Sequence, residues 1–198
     1  MGRPGPPLTP ELVVYAYERG LFPMGDDEGG IGWYSPDPRA VFPLDAFHAP
    51  KTLLKTVRQG KFEIRVDQNF EGVLRGCAGR AETWISSEIH RVYTALHHRG
   101  LAHSVEAWQD GELAGGLYGV ALGGAFFGES MFSRRTDASK VCLVHLVERL
   151  KARGFTLLDS QYPTEHLMRF GQALIPRSQY MQELEQALER RCRFVGPA

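Results

Sequence analysis

His103-Ser104-Val105-Glu106-Ala107-Trp108 is followed by Asp110-Gly111, an extended run over 112–122, Gly123-Gly124 and a third run over 125–132. These residues decide the fold. Asp-Gly between two extended runs is a strong short-range hairpin signal. The second run is interrupted by Gly115, Gly116 and Gly119, and Gly123-Gly124 turns into the third. Beyond them, residues 138–153 carry Leu143, Leu146, Val147 and Leu150 on one stripe, which predicts a helix closed by Gly154. Phe155-Thr156-Leu157-Leu158-Asp159-Ser160-Gln161 then reads as a buried strand running into a polar end. Hairpin strands, a helix and a further strand predict an α+β fold around a central mixed sheet.

Working outward, Thr9-Pro10 reads as N-cap and N1 of a helix to residue 19, with Gly20 past its end. Residues 21–30 are full of turn formers and read as a loop. Two prolines make 33–39 extended and turning, and a short strand is expected over 40–44. Further helices are expected over 51–59, 70–77, 88–99 (capped by Ser86 or Ser87), 164–169 and 178–191. Phe62-Glu63-Ile64-Arg65-Val66 alternates as a half-exposed strand does. Residues 1–7 are a Gly/Pro-rich lead expected to be disordered.

The 198 residues carry 23 Lys+Arg against 23 Asp+Glu, so the net charge is zero. That excludes nucleic-acid binding by an overall basic field and leaves local patches. The uncharged run 113–128 falls short of the roughly 18–20 residues of a membrane helix. No apolar signal region follows Met1. Cys77, Cys142 and Cys192 form no CxxC pair, as expected in a reducing cytoplasm. The histidines follow no metal-ligand pattern, so no metal and no cofactor are expected.

Four features could carry chemistry. Glu129 lies mid-strand among aromatics in Phe126-Phe127-Gly128-Glu129-Ser130-Met131-Phe132-Ser133. It either faces water, pairs with an arginine, or is desolvated with a raised pKa. Asp159 and Gln161 share a strand face at a polar sheet edge, where sites form, although Asp159 could instead cap the next helix. The small residues from Gly115 to Gly124 allow close approach of a ligand or of neighbouring backbone. Lys51, Lys55 and Arg58 share a helix face in a stretch, 50–65, of net charge +4, and Arg134, Arg135 and Lys140 form a second cluster. Each is either a solvated surface or a track for a phosphate backbone.

Nine stretches occur in one order over residues 9–185. They are Tyr17-Glu18-Arg19-Gly20-Leu21-Phe22-Pro23, Trp33-Tyr34-Ser35-Pro36-Asp37-Pro38-Arg39, Thr83-Trp84-Ile85, and Leu96-His97 to Glu106. They continue with Gly115-Gly116-Leu117-Tyr118-Gly119-Val120, Gly128-Glu129-Ser130-Met131-Phe132-Ser133, Ala138-Ser139-Lys140, Leu158-Asp159-Ser160-Gln161 and Ile175-Pro176-Arg177. In this order they resemble the bacterial leucyl/phenylalanyl-tRNA–protein transferases.

The resemblance implies a small N-terminal domain, residues 1–38, and a larger acyltransferase-like (GNAT-like) catalytic domain, residues 39–198. It implies a cytoplasmic enzyme that moves Leu, Phe, and less readily Met, from aminoacyl-tRNA. The acceptor would be the α-amine of proteins beginning with Arg or Lys, which marks them for N-end-rule degradation. By motif match Gln161, Asp159 and Glu129 are the catalytic candidates. Tyr17, Trp84 and Tyr93 would surround the terminal adenosine, and Leu117 and Phe126 would line the side-chain pocket. Lys51, Lys55, Arg58, Arg134, Arg135 and Lys140 are the candidate tRNA contacts. The rival readings are a Leu-tRNA transferase acting on N-terminal Asp or Glu, a CoA-dependent acetyltransferase, and a non-catalytic adaptor for basic N-termini. Aminolysis of an ester needs a neutral amine and little base strength, since an α-amine titrates near pH 8. Asp159→Ala and Gln161→Ala are accordingly expected to lower turnover far more than stability. This chain departs from the family pattern at Met24, where a stacking tryptophan is usual, and at Arg169 and Phe170, where Ser and Leu are usual.

Overall fold

The structure is a computed structural model, described here over residues 7–26, 30–79 and 83–196. Helix α1 (Pro10–Tyr17) starts where the sequence places it: Thr9 Oγ1 accepts from Leu12 N at 3.2 Å and Pro10 follows at N1. Of the Gly/Pro-rich lead, residues 1–6 lie outside the described residues.

Within the loop expected over 21–30, residues 22–25 are instead paired, and 27–29 lie outside the described residues. β1 (Phe22–Gly25) and β2 (Ile31–Tyr34) form a two-stranded antiparallel sheet, with Pro23 opposite Trp33. Proline and glycine argue against a central strand but are tolerated in so short a ribbon, which has only edges.

The main sheet has seven strands in the order β4-β5-β6-β7-β8-β3-β9. These are β3 (Arg39–Phe42), β4 (Glu63–Val66), β5 (Ala102–Gln109), β6 (Glu112–Leu122), β7 (Ala125–Ser133), β8 (Leu157–Gln161) and β9 (Ala173–Ile175). Asp110 (φ +54°) and Gly111 (φ +78°) make the hairpin turn between β5 and β6. All neighbours are antiparallel except β7 and β8, which helix α5 (Ala138–Ala152) joins as a crossover. β9 is not anticipated from the sequence, because three residues are too few to show a period.

The remaining helices are α2 (Lys51–Arg58), α3 (Phe70–Ala78), α4 (Ser87–His98), α6 (Glu165–Met168) and α7 (Arg177–Leu188). Two apolar cores lie on opposite faces of the sheet. Tyr118, Val120 and Phe127 pack with Val13 and Tyr17 of α1, Val73 of α3, Val92 and Tyr93 of α4, and Leu184 of α7. Leu117, Phe126 and Leu158 pack with Leu53 of α2 and with Leu143, Leu146 and Leu150 of α5. The result is the expected mixed sheet flanked by helices, with a small N-terminal unit laid on one face.

The glycines of β6 serve this packing. A Cβ on Gly115 would lie 2.7 Å from Ala138 Cβ, and one on Gly116 would lie 2.9 Å from Val73. Helices α5 and α3 can therefore approach the sheet closely. Among the described residues, no helix is long and apolar enough to cross a membrane.

Candidate active site

The parallel ladder of β7 and β8 runs only from Ala125↔Leu157 to Phe127↔Asp159. Beyond it each strand bulges. On β7, Tyr118 pairs with Ser130 and Gly119 with Gly128, so Glu129 is the extra residue. On β8, Ala40 pairs with Gln161 and Val41 with Asp159, so Ser160 is extra. A bulge shifts the in–out alternation by one and re-aims side chains. Phe127 accordingly faces the α1/α4 core and Met131 the α5 core, although four residues separate them. A cleft of about 840 Å³ opens where the ladder stops.

Glu129 sits in this opening. Its carboxylate accepts from Tyr17 Oη at 2.5 Å, from Gln161 Nε2 at 2.9 Å and from Tyr93 Oη at 3.3 Å. The two tyrosine hydroxyls lie 2.6 Å apart. Burial pushes the Glu129 pKa up to about 8, against the pull of its donors and of Arg39, with the Asp159 charge adding to the rise. The same burial, with Glu129 nearby, holds both phenols well above their ordinary range, so they remain proton donors.

Asp159 is in a different state. It is fully buried and accepts from Arg39 Nε at 2.9 Å and Nη2 at 2.6 Å, a two-pronged ion pair. Tyr180 Oη donates to it at 2.9 Å and the Gln161 backbone N–H at 2.9 Å. Arg39 is itself fully buried, donates to the Gly20 carbonyl at 3.0 Å and lies between the Phe22 and Tyr180 rings. Tyr180 and the pairing role of Arg39 are absent from the sequence reading. Arg39 ends one of the motifs, but nothing local names a partner 120 residues away.

The other sequence candidates divide. Trp84 and Met24 line the mouth of the cleft, and the Trp84 carbonyl accepts from Gly25 N at 3.0 Å. Tyr17 and Tyr93 are fully buried beneath Glu129 and do not line the cleft. Leu117 lines its apolar end with Leu143, Leu146 and Leu158. Phe126 stands behind that lining, stacked 5.1 Å from Phe194. Of the basic candidates only Arg134 borders the cleft, joined by Arg75, which the sequence did not single out. Arg135 pairs with Glu112 at 3.6 Å and Lys140 with Asp137 at 2.8 Å. Lys51, Lys55 and Arg58 lie on α2 and do not line the cleft. Among the described residues, no group of three or more His, Cys, Asp or Glu could hold a metal. Phe170 is buried and stacks on Phe47, a core role. Nothing in the structure explains Arg169.

An apolar pocket, a desolvated carboxylate and a glutamine amide meeting at the ends of splayed strands can hold an acyl donor beside an amine. The family model for leucyl/phenylalanyl-tRNA protein transferase matches residues 41–185, and the model for that family's N-terminal domain matches residues 7–37. The chain belongs to the leucyl/phenylalanyl-tRNA protein transferase family. It is an aminoacyltransferase. A leucyl/phenylalanyl-tRNA–protein transferase of Salinibacter ruber is 60% identical over 92% of this chain and 81% of that protein. Its counterpart in Rubrobacter xylanophilus is 62% identical over 91% of this chain and 95% of that protein. Among solved structures, L-PGS from Bacillus licheniformis aligns at 15% identity with a TM-score of 0.41, over 80% of this chain and 55% of that one.

Proposed function

We propose that this transferase moves Leu or Phe, and Met less readily, onto proteins whose first residue is Arg or Lys, in the cytoplasm, and so marks them for N-end-rule degradation. The observation that carries this reading is the Gln161–Glu129 pair at the boundary between an apolar pocket and the cleft mouth. The donor side chain fits the apolar end beside Leu117, with Phe126 as its backing. The terminal adenosine fits the mouth at Trp84 and Met24. Tyr17 and Tyr93 act from beneath by holding Glu129. Residues 1–38 form the N-terminal domain in this reading and 39–198 the catalytic domain.

Gln161 donates through Nε2 to Glu129, and among the described residues no group donates to its Oε1. That oxygen is free to accept from the acceptor's α-amine. An amide is a poor base, so Gln161 orients the amine rather than deprotonating it. Glu129 and an α-amine titrate close together, which suits proton transfer between them. The nitrogen, neutral once its ammonium proton has gone to water, attacks the ester carbonyl carbon. Ionised Glu129 takes the one proton the nitrogen then sheds, the bond from the carbon to the ribose oxygen breaks, and Glu129 passes that proton to the departing oxygen, which leaves as a free hydroxyl. Asp159 touches neither substrate: it neutralises Arg39 and fixes the Gln161 backbone. Arg134 and Arg75 offer charge to the donor's phosphates, while Lys51, Lys55, Arg58, Arg135 and Lys140 act as more distant attraction.

Glu129 is the one carboxyl group lining the cleft, among the described residues, without an ion pair; a cationic acceptor beside it favours its ionised form, whereas an N-terminal Asp or Glu would oppose it. The test mixes the protein with Leu-tRNA or Phe-tRNA and peptides beginning with Arg, Lys, Asp or Glu. Transfer to the Arg and Lys peptides is expected. Transfer confined to the Asp and Glu peptides would overturn the acceptor assignment, and binding without transfer would make the protein an adaptor.

A further inference from the structure

Gln161 occupies a costly backbone conformation. Its φ is +66°, and the Ser160 carbonyl accepts from Tyr162 N at 2.8 Å, so the residue sits at the centre of a γ-turn. The positive-φ form of that turn is rare and strained, and such conformations persist only where their surroundings over-determine them. Asp159 holds the turn from within through the Gln161 N–H.

The second hold comes from Gln172, just ahead of β9. Its Nε2 donates to Ser160 Oγ at 2.8 Å and to the Tyr162 carbonyl at 3.1 Å. Its Oε1 accepts from Thr164 N at 3.1 Å. One side chain thus clasps the residues before and after Gln161. Ser160 Oγ in turn donates to the Ala40 carbonyl at 3.1 Å, so the clasp is anchored in β3. Gln172 is 4% exposed, and both its amide hydrogens are used. It does not line the cleft. Gly171, with φ +91°, turns the chain so that the side chain arrives there.

We propose that Gln172 is a positioning residue: by clasping Ser160, Tyr162 and Thr164 it keeps the Gln161 amide at the angle that presents Oε1 to the acceptor amine. The role rests on the reading of Gln161 given above. Gln172→Leu keeps the volume and removes all three hydrogen bonds. Gln172→Glu keeps the acceptor and, once protonated, regains one donor.

Steady-state transfer from Phe-tRNA to an Arg-initiated peptide tests this. Gln172→Leu is expected to lower kcat by roughly tenfold to a hundredfold, the scale of a small misplacement, with KM for both substrates nearly unchanged. On a Gln161→Ala background the same change should leave the residual kcat within about twofold, because its target is gone. For Gln172→Glu, the kcat ratio to the unmodified protein should rise as pH falls. Equal proportional losses on the two backgrounds would overturn the proposal, as would an unchanged kcat in Gln172→Leu or a pH-independent ratio in Gln172→Glu. A slow Gln161→Ala with a fast Gln172→Leu refutes the clasp alone. A Gln161→Ala protein of full activity refutes the reading of Gln161 and the clasp with it.

Discussion

Glu129 and Asp159 lie on two neighbouring strands where the parallel ladder between them stops, one half-buried in the cleft and the other fully buried, yet they are opposite in kind. Asp159 has a guanidinium with two matched prongs, so burial is compensated by a full countercharge. Glu129 has only neutral donors, two phenols and an amide, so burial raises its pKa to about 8. Burial alone therefore does not make a reactive acid; what matters is whether the nearest donors carry charge. In the proposed function the paired carboxylate builds the site and the unpaired one is left available for chemistry.

The largest effect that can break this contrast is Asp159→Ala. It strands a fully buried Arg39, so a loss of about 3–5 kcal/mol in unfolding free energy is expected by denaturant titration. That revises the expectation from sequence that turnover would suffer far more than stability. An unchanged denaturation midpoint would show that Asp159 is not structural. Gln161→Ala comes next. It should cost on the order of a hundredfold in kcat, with little change in melting temperature.

Glu129→Gln is subtler and depends on pH. The folded protein keeps a proton on Glu129 between the ordinary value of 4.5 and about 8, whereas the unfolded chain has lost it. Stability from this group is thus fully present below 4.5 and is lost as pH rises through about 8. The variant lacks that slope, so its melting temperature relative to the unmodified protein should climb from pH 5 to pH 8. Its rate should rise with loss of one proton, from the amine, where the unmodified enzyme requires two. Parallel pH profiles would remove Glu129 from the proton path. Tyr93→Phe is the smallest. Losing a donor at 3.3 Å should move the Glu129 limb of the rate profile further upward and leave kcat at its plateau nearly intact.

Much of this was legible in the sequence where the signal is local. Thr9-Pro10 announced α1, Asp110-Gly111 the hairpin, and the Leu143–Leu150 stripe the crossover helix. Glu129 among aromatics left a desolvated carboxylate as one of three readings, beside a water-facing glutamate and an arginine pair. The β1–β2 ribbon was hidden because Pro23 and Gly25 speak for a loop, and β9 because it is too short. The Arg39–Asp159 pair and the Gln172 clasp were illegible for another reason: hydrogen bonds between distant or irregular segments leave no periodic trace. Tyr17 and Tyr93 were marked for a nucleotide by motif, but their burial under Glu129 is a property of three dimensions.

Glu129 and Gln161 hang from adjacent strands of one sheet, each two residues past the last paired positions, Phe127 and Asp159, so the end of that ladder sets their separation. The sheet acts as a ruler for the groups proposed to handle the amine. Changes in the surface loops, or in the leucines of α5 that shape the apolar pocket, can therefore alter which acyl group is taken without resetting that ruler.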